Sequence, residues 1–149
     1  MSDNKSTVLV VDDVSENIDV LIGILEINYT VKFALDGDTA IEVASKEPQP
    51  DIILLDVMMP GLNGYEVCEK LKLDPVTAEI PVIFVTALDD LKNEVRGFEV
   101  GGVDYITKPV VPEIVSARVK THIEFKKVKQ KLAEHMQKLE EMLDNKLDI

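Results

Sequence analysis

The stretch Ile52-Ile53-Leu54-Leu55-Asp56 constrains the fold more than any other part of the sequence, and a loop rich in proline and glycine follows it at 57–64. Four consecutive branched apolar residues leave no polar face. A strand of this kind belongs in a parallel sheet that is covered by helices on both sides. In such sheets, ligands bind beyond the carboxyl ends of the strands. The sequence therefore predicts that the carboxylate of Asp56 lies at a binding or reaction site.

Four more strands and the helices between them follow from the same kind of pattern. Short apolar runs predict strands at 7–11, 29–35, 81–85 and 104–107. Apolar residues at helical spacing predict intervening helices, the first capped by Ser15 and the fourth spanning 89–100. Strict alternation of strand and helix indicates a three-layer α/β fold. We expect a flavodoxin-like (βα)5 arrangement with a parallel five-stranded sheet in the order 2-1-3-4-5, which makes the first and third strands neighbours.

The last part of the chain differs from the rest, because no glycine or proline occurs between Pro112 and the C-terminus. A continuous helix over 112–147 would be about 50 Å long, and it must project from a domain whose radius of gyration is about 13–14 Å. We therefore divide the chain into a flexible N-terminus (1–6), a domain (7–125) and a helical extension (126–149).

An apolar stripe marks this extension, with steps of three and four residues that resemble a short coiled coil. We interpret the stripe as the interface of a homodimer. The alternative is a connector helix that packs on a neighbouring segment or frays. The stripe consists of Val128, Leu132, Met136, Leu139 and Leu143.

Charge and composition exclude several classes of function. The net charge is −12, and the stretch from residue 121 onward carries six lysines and six acidic residues, so the first 120 residues hold the whole excess. A nucleic-acid-binding protein normally shows a basic face, so we expect no direct contact with DNA or RNA. The polar N-terminus and the lack of a long apolar run predict neither signal peptide nor membrane helix. With Cys68 as the single cysteine, we expect a cytoplasmic protein.

Five chemically active residues should converge at one edge of the sheet. Crowded carboxylates repel one another unless a cation lies among them, and hard oxygen ligands suit Mg²⁺. A carboxylate can also attack phosphorus to form an acyl phosphate, while a lysine and a hydroxyl bind the phosphoryl oxygens. Taken singly, each residue has an ordinary role as a helix cap, a strand end or a surface charge. The five are Asp12, Asp13, Asp56, Thr86 and Lys108.

Four motifs that contain these residues occur in order at predicted strand ends: Val-Asp-Asp at 11–13, Leu-Leu-Asp-Val-Met-Met-Pro-Gly-Leu-Asn-Gly at 54–64, Val-Thr-Ala at 85–87 and Asp-Tyr-Ile-Thr-Lys-Pro at 104–109. Together they make the chain, from residue 7 to about 125, resemble the receiver domain of two-component response regulators. The resemblance implies that Asp56 accepts a phosphoryl group from a histidine kinase or a phosphotransfer protein.

The resemblance also assigns roles around Asp56. It implies that Asp12, Asp13 and Asp56 hold Mg²⁺ together with the backbone carbonyl of Met58. It further implies that Lys108 contacts the phosphoryl group and that its peptide bond to Pro109 is cis.

Two more residues acquire a role in signalling from the same resemblance. Thr86 would move toward the phosphate while Tyr105 turns inward, and the surface of the fourth helix, fifth strand and last helix would repack. Taken singly, Tyr105 is more often a packing residue.

Two other functions compete with this interpretation. A phosphatase that forms an aspartyl phosphate, of the haloacid dehalogenase kind, needs a second acid two residues beyond the nucleophile, where this chain has Met58. A flavin-binding electron carrier is disfavoured because the chain lacks tryptophan and its loops carry acids where phosphate would bind. We therefore expect a switch that catalyses only its own phosphorylation and dephosphorylation.

The stretch 96–109, with the long helix after it, resembles receivers that are joined to cyclic-dinucleotide enzymes or to histidine kinases. We interpret the chain as a receiver with its linker from a larger regulator whose output domain is absent. A complete single-domain regulator is the alternative.

Overall fold

Five parallel strands form one sheet in the order β2-β1-β3-β4-β5 in a computed structural model that describes residues 5–87 and 94–147. The strands are β1 (Thr7–Val11), β2 (Thr30–Ala34), β3 (Ile52–Asp56), β4 (Val82–Ala87) and β5 (Asp104–Lys108). The helices are α1 (Ser15–Leu25), α2 (Gly37–Ser45), α3 (Gly64–Leu73), α4 (Glu94–Glu99) and α5 (Pro112–Leu147). The predicted fold class and strand order are confirmed.

The sheet separates two apolar cores, which is why its central strands have no polar face. Residues that alternate along a strand point to opposite sides. Leu9, Ile53 and Phe84 pack on the side of α2 and α3. Val10 and Leu54 pack on the other side, against α1 and α5. Strand β3, which is apolar on both faces, therefore lies in the middle layer of three. Its carboxyl end is next to the loops at that edge of the sheet.

The helix starts follow local hydrogen bonding, and one prediction about them was wrong. The Asp36 carboxylate caps α2 by accepting from the Thr39 N–H at 2.8 Å. Ser15, predicted as the cap of α1, is instead its first residue, and Val14 at the cap position makes no side-chain capping bond. The Asp12 carboxylate accepts from the Val14 N–H at 2.9 Å.

Two predictions lie partly outside the described residues. The fourth helix was predicted from Asp89, but residues 88–93 are not described and α4 is seen from Glu94 to Glu99. The flexible N-terminus was predicted at 1–6, of which residues 1–4 are not described.

Helix α5 has two parts with different surroundings. Val115, Val119 and Ile123 are buried against the sheet. From residue 127 to 146 every side chain is exposed, and the stretch 124–147 corresponds to about 36 Å of helix. The long C-terminal helix is thus confirmed, and its apolar stripe is exposed within this chain. None of the helices in the described part of the chain combines the length and apolar character needed to cross a membrane.

Candidate functional site

An acidic cluster lies at the carboxyl edge of the sheet, where β1 and β3 run side by side. Val11 is in register with Leu55. The next residue in each chain segment, Asp12 after β1 and Asp56 at the end of β3, therefore lies at the same carboxyl edge of the sheet. Asp12 is 2% exposed and Asp56 is 5% exposed, whereas Asp13 is exposed. One carboxylate oxygen from each of the three lies within 4.8 Å of the others. The predicted convergence of these carboxylates is therefore present.

Lys108 provides the positive charge of the cluster. It ends β5, in register with Ala87 of β4, and its side chain reaches past β4 to the acids. Its ammonium group lies 3.2 Å from Asp12 Oδ2 and 3.2 Å from Asp56 Oδ1. Its peptide bond to Pro109 is cis, as the sequence motif implied. Lys108 thus occupies part of the space among carboxylates that would otherwise repel one another.

Burial and charge together set the acidity of this cluster. Burial raises the pKa of Asp56 to about 6, with Asp12 and Asp13 adding to the rise and Lys108 opposing it. Burial alone would lower the pKa of Lys108, but the carboxylates of Asp56 and Asp12 outweigh burial and raise it. Asp56 is therefore ionised above about pH 6, with a protonated lysine beside it.

Asn17 belongs to the site, although sequence reasoning missed it. Its side-chain amide donates to Asp12 Oδ2 at 3.2 Å, while the Val14 N–H donates to Asp12 Oδ1 at 2.9 Å. The Asp12 carboxylate is thus held from two directions. The signal in the sequence is weak: Asn17 is one of three consecutive polar residues in the first turn of α1, five positions after Asp12.

The loop after β3 approaches the backbone of Asp56 closely. The Gly64 N–H donates to the Val57 carbonyl at 2.9 Å, and a Cβ atom on Gly64 would lie 2.4 Å from the Asp56 carbonyl oxygen. Asn63 and Glu66 form a capping box at the start of α3. The side chain of Met58, in the same loop, is 72% exposed. The loop is therefore packed tightly on the backbone of Asp56, which is itself buried.

Thr86 lies next to the acidic cluster on β4. Val85 is in register with Asp56, so Thr86 is one residue closer to the loops. Thr86 is buried, and strand alternation places it on the same face of the sheet as Phe84. Tyr105 of β5 is in register with Phe84 of β4. Thr86 and Tyr105 therefore share one face of the sheet.

Tyr105 points into an aromatic cluster under this face. Its hydroxyl lies 3.2 Å from that of Tyr65, and its ring centroid is 5.4 Å from Phe84 and 5.5 Å from Phe98. A Cβ atom on Gly97 would lie 2.0 Å from the Tyr105 hydroxyl, so the inward position requires glycine there. Tyr105 is turned inward, and its predicted role in switching stays a prediction.

The chemistry of the cluster is that of hard oxygen ligands around a nucleophile. Three carboxylates within one small region suit a cation of the Mg²⁺ class, which takes one or two carboxylates and keeps several waters. Asp13 is exposed, so water can reach the cluster from its side. The buried carboxylate of Asp56 is in addition a competent nucleophile toward phosphorus.

Comparison with known proteins gives a consistent result. The family model described as the response regulator receiver domain matches residues 8–120. The chain is 46% identical over 125 residues to the response regulator PleD of Caulobacter vibrioides, covering 83% of this chain and 27% of PleD. It is 40% identical over 126 residues to a probable cyclic di-GMP phosphodiesterase of Vibrio cholerae. This match covers 85% of this chain and 28% of the phosphodiesterase.

The fold agrees with solved structures as well. A crystal structure of a CheY-like response regulator receiver domain protein from Methanospirillum hungatei matches with a TM-score of 0.75 at 27% identity, covering 85% of this chain and 99% of that one. The chain spans little more than a quarter of the length of the two curated relatives above.

Proposed function

Because the chain belongs to the response regulator receiver family, we propose that it is a phosphorylation-controlled switch in which Asp56 accepts a phosphoryl group from a histidine kinase or phosphotransfer protein. The observation that carries this proposal is the pairing of the buried Asp56 carboxylate with the Lys108 ammonium group at 3.2 Å, beside Asp12 and Asp13. This arrangement combines a nucleophile with an ammonium group that can neutralise phosphoryl charge and with carboxylates that can hold a cation.

We assign Mg²⁺ to the acidic cluster, held by Asp12, Asp13 and Asp56 and by the backbone carbonyl of Met58. The donor set supports this assignment, because it consists of oxygen atoms alone. When bound, the ion neutralises charge on the phosphoryl oxygens. Asn17 and the Val14 N–H keep the Asp12 carboxylate oriented toward the cluster.

In the transfer step, a carboxylate oxygen of Asp56 attacks the phosphorus of a phosphohistidine. A phosphorus–oxygen bond forms, the phosphorus–nitrogen bond breaks, and the imidazole of the donor leaves with the electron pair. The Lys108 ammonium group, which contacts Asp56 before transfer, donates a hydrogen bond to one phosphoryl oxygen. The Thr86 hydroxyl donates a hydrogen bond to a second phosphoryl oxygen. Positioning and charge neutralisation of this kind account for most of the catalysis in phosphoryl transfer.

We propose that the signal leaves through Thr86 and Tyr105. Movement of Thr86 toward the phosphoryl group changes the space on the face that it shares with Phe84 and Tyr105. The inward position of Tyr105 then favours one arrangement of the surface formed by α4, β5 and α5. Phosphorylation thereby controls dimerisation through α5 or the activity of an output domain.

We further propose that the chain catalyses only its own phosphorylation and dephosphorylation. A phosphatase acting on external substrates would need an acid at the position of Met58, whose thioether cannot donate a proton and is 72% exposed. The name of the Vibrio cholerae relative suggests an enzymatic output for that protein. By analogy, this receiver would regulate such an output, with residues 7–125 as the switch and residues 126–149 as the connection.

The test of this function is phosphorylation with a small phosphodonor. In the presence of Mg²⁺ and radiolabelled acetyl phosphate, Asp56→Asn should incorporate no acid-stable label, because the nucleophilic oxygen is replaced by an amide. Asp38→Asn changes the same charge at an exposed residue of α2 and serves as the control that should incorporate label normally. Incorporation by Asp56→Asn at the level of the control would reject Asp56 as the acceptor.

A further inference from the structure

We propose that a groove at the opposite end of the sheet from the acidic cluster binds a nucleotide, through lysines that contact its phosphates and an exposed phenylalanine that stacks on its base. This groove lies where α5 leaves the domain, and the proposal goes beyond the switch function. It is independent of phosphorylation at Asp56.

The groove has a volume of about 620 Å³, which is within the usual range for small-molecule sites. One wall is a single face of α5, because His122, Lys126, Lys129 and Ala133 recur at helical spacing. The opposite wall comes from the end of α3 and from the segments before β4 and β5, and consists of Lys72, Ala78, Glu79, Pro81, Gly101 and Val103. A ligand in the groove would therefore touch both the domain and the start of the projecting helix.

The sign of the charge in this groove is reversed relative to the rest of the domain. Three lysines and one glutamate line it, in a chain whose net charge is −12. Burial lowers the pKa of Lys72, Cys68 and Glu79 oppose this decrease, and repulsion from the charges of Lys129 and Lys126 adds to it. A bound anion would relieve this repulsion, as Lys108 does for the carboxylates at the other end.

These ammonium groups are positioned by neighbouring groups. The Lys72 ammonium donates to the carbonyls of Ala78 and Ile80, at 2.9 and 2.6 Å, which uses two of its three N–H bonds. Lys126 lies 3.8 Å from Asp51. For Lys129, the described residues provide an aromatic contact, with the ammonium 5.6 Å from the centroid of Phe125, but no carboxylate within 4 Å. Of the three lysines, Lys129 is therefore the one whose charge is least neutralised by neighbouring groups in the described part of the chain.

The ring of Phe125 distinguishes a nucleotide from a simple anion. It lines the groove and is 60% exposed, so its ring can be reached by a ligand. Stacking of a base on an aromatic ring contributes to affinity without selecting among bases. Lysines for the phosphates and a ring for the base, on one helix face, together fit a nucleoside polyphosphate.

The experiment is calorimetric titration of the full 149-residue chain with ATP and, separately, with inorganic pyrophosphate. The titrations are done with a chelator present, so that no divalent ion links the ligand to the acidic cluster. We expect saturable binding of ATP to one site. The double variant Lys126→Glu/Lys129→Glu should weaken it about tenfold or more, since two ionic contacts are reversed.

The matched control is Lys131→Glu/Lys138→Glu, which makes the same change of charge on exposed parts of α5 outside the groove. It should bind ATP within about twofold of the unmodified chain, as should Asp56→Asn. Phe125→Ala should weaken ATP but leave pyrophosphate unchanged. Far-UV circular dichroism, which measures helix content, identifies any variant that fails to fold.

Three outcomes would overturn the proposal. One is no saturable binding of ATP or pyrophosphate up to about 10 mM. Another is an equal loss of affinity in both double variants, which would indicate a diffuse effect of charge. The third is ATP affinity that is unaffected by Phe125→Ala, which would remove the nucleotide assignment.

Discussion

In the proposed phosphoryl transfer, the carboxyl group of Asp56 must be ionised, yet Asp56 is 5% exposed and lies beside two other acids. Lys108 is the group that keeps ionisation accessible, because it opposes the effects of burial and of Asp12 on the pKa of Asp56. The result is a pKa of about 6, so the nucleophilic form prevails at neutral pH. The side chain is therefore ionised at neutral pH in surroundings that favour its neutral form.

The raised pKa of Asp56 has a consequence for stability. An unfolded chain releases this proton near pH 3.8, whereas the folded chain retains it up to about pH 6. Between these values the folded state binds more protons, so this group makes the free energy of unfolding decrease as pH rises through the window. Above about pH 6 the full penalty for the buried carboxylate is present.

Asp56→Asn should therefore stabilise the protein at pH 7.5, because the neutral amide avoids that penalty. We expect an increase of about 1–3 kcal/mol in the free energy of unfolding at pH 7.5, and a smaller increase at pH 4.5. Urea denaturation at the two pH values measures both. Asp38→Asn, at an exposed position, should change stability little at either. A less stable Asp56→Asn at pH 7.5 would contradict the raised pKa.

At the scale of elements, the junction of β3 and α3 determines how the loop is placed over Asp56. Gly64 begins α3 and packs its backbone against the Asp56 carbonyl. A side chain there would meet backbone atoms, which cannot rotate away as the end of a side chain can. This helix start and the reactive strand end are thus a single packed unit.

Gly64→Ala should destabilise the protein by about 1–3 kcal/mol and slow phosphorylation of Asp56, since the added methyl group forces the loop outward. Gly23→Ala is the matched control. Gly23 lies within α1 and a Cβ atom there would meet nothing within 4 Å, so alanine should stabilise by about 0.5–1 kcal/mol. Urea denaturation and label incorporation measure the two effects. Equal stability changes in both variants would contradict the close packing at Gly64.

The strands and the acidic edge could be predicted from sequence because their signals are local. A run such as 52–55 has no polar face, and the residue that ends each parallel strand necessarily lies at the same edge. The bounds of β1 are as predicted, and those of β2, β4 and β5 differ by one or two residues at an end, as at β2, where the expected 29–35 is observed as Thr30–Ala34.

Features that depend on packing could not be predicted in the same way. Ser15 has the composition of a helix cap, but the Asp12 carboxylate accepts from Val14 instead, and α1 begins without a side-chain cap. Lys72 is far in sequence from Lys126 and Lys129, which share one face of α5, so only the fold reveals that the three lysines line one groove. Long-range charge clusters of this kind have no local signature.

At the scale of the whole molecule, α5 connects the two ends of the sheet. It begins four residues after Lys108 and packs on the sheet through Val115, Val119 and Ile123. It then projects past the groove that Lys72, Lys126 and Lys129 line. A change at the carboxyl edge that shifts β5 or the start of α5 is therefore carried by one rigid element to the opposite end. In the dimer that we propose, a second copy would contact α5 at the apolar stripe on its projecting part.

Self-association through this stripe is the prediction that concerns the molecule as a whole. Leu132 and Leu139 are 59% and 51% exposed, and paired helices bury such residues at a common seam. Sedimentation equilibrium should show a species of about twice the 16.6 kDa chain mass. Leu132→Glu/Leu139→Glu should sediment as a monomer, because two charges per chain enter the seam.

Gln137→Glu/Asn145→Glu provides the control, since it adds the same charge at exposed positions on the opposite face of α5. This variant should remain dimeric, while a monomeric control variant would show that charge alone, and not the stripe, governs association. The measurement is made with and without acetyl phosphate and Mg²⁺. If the unmodified chain is monomeric in both conditions, the stripe is not a homodimer interface. The alternative then applies: the helix packs on a neighbouring segment or frays, because an isolated apolar helix face of this length is unstable in water.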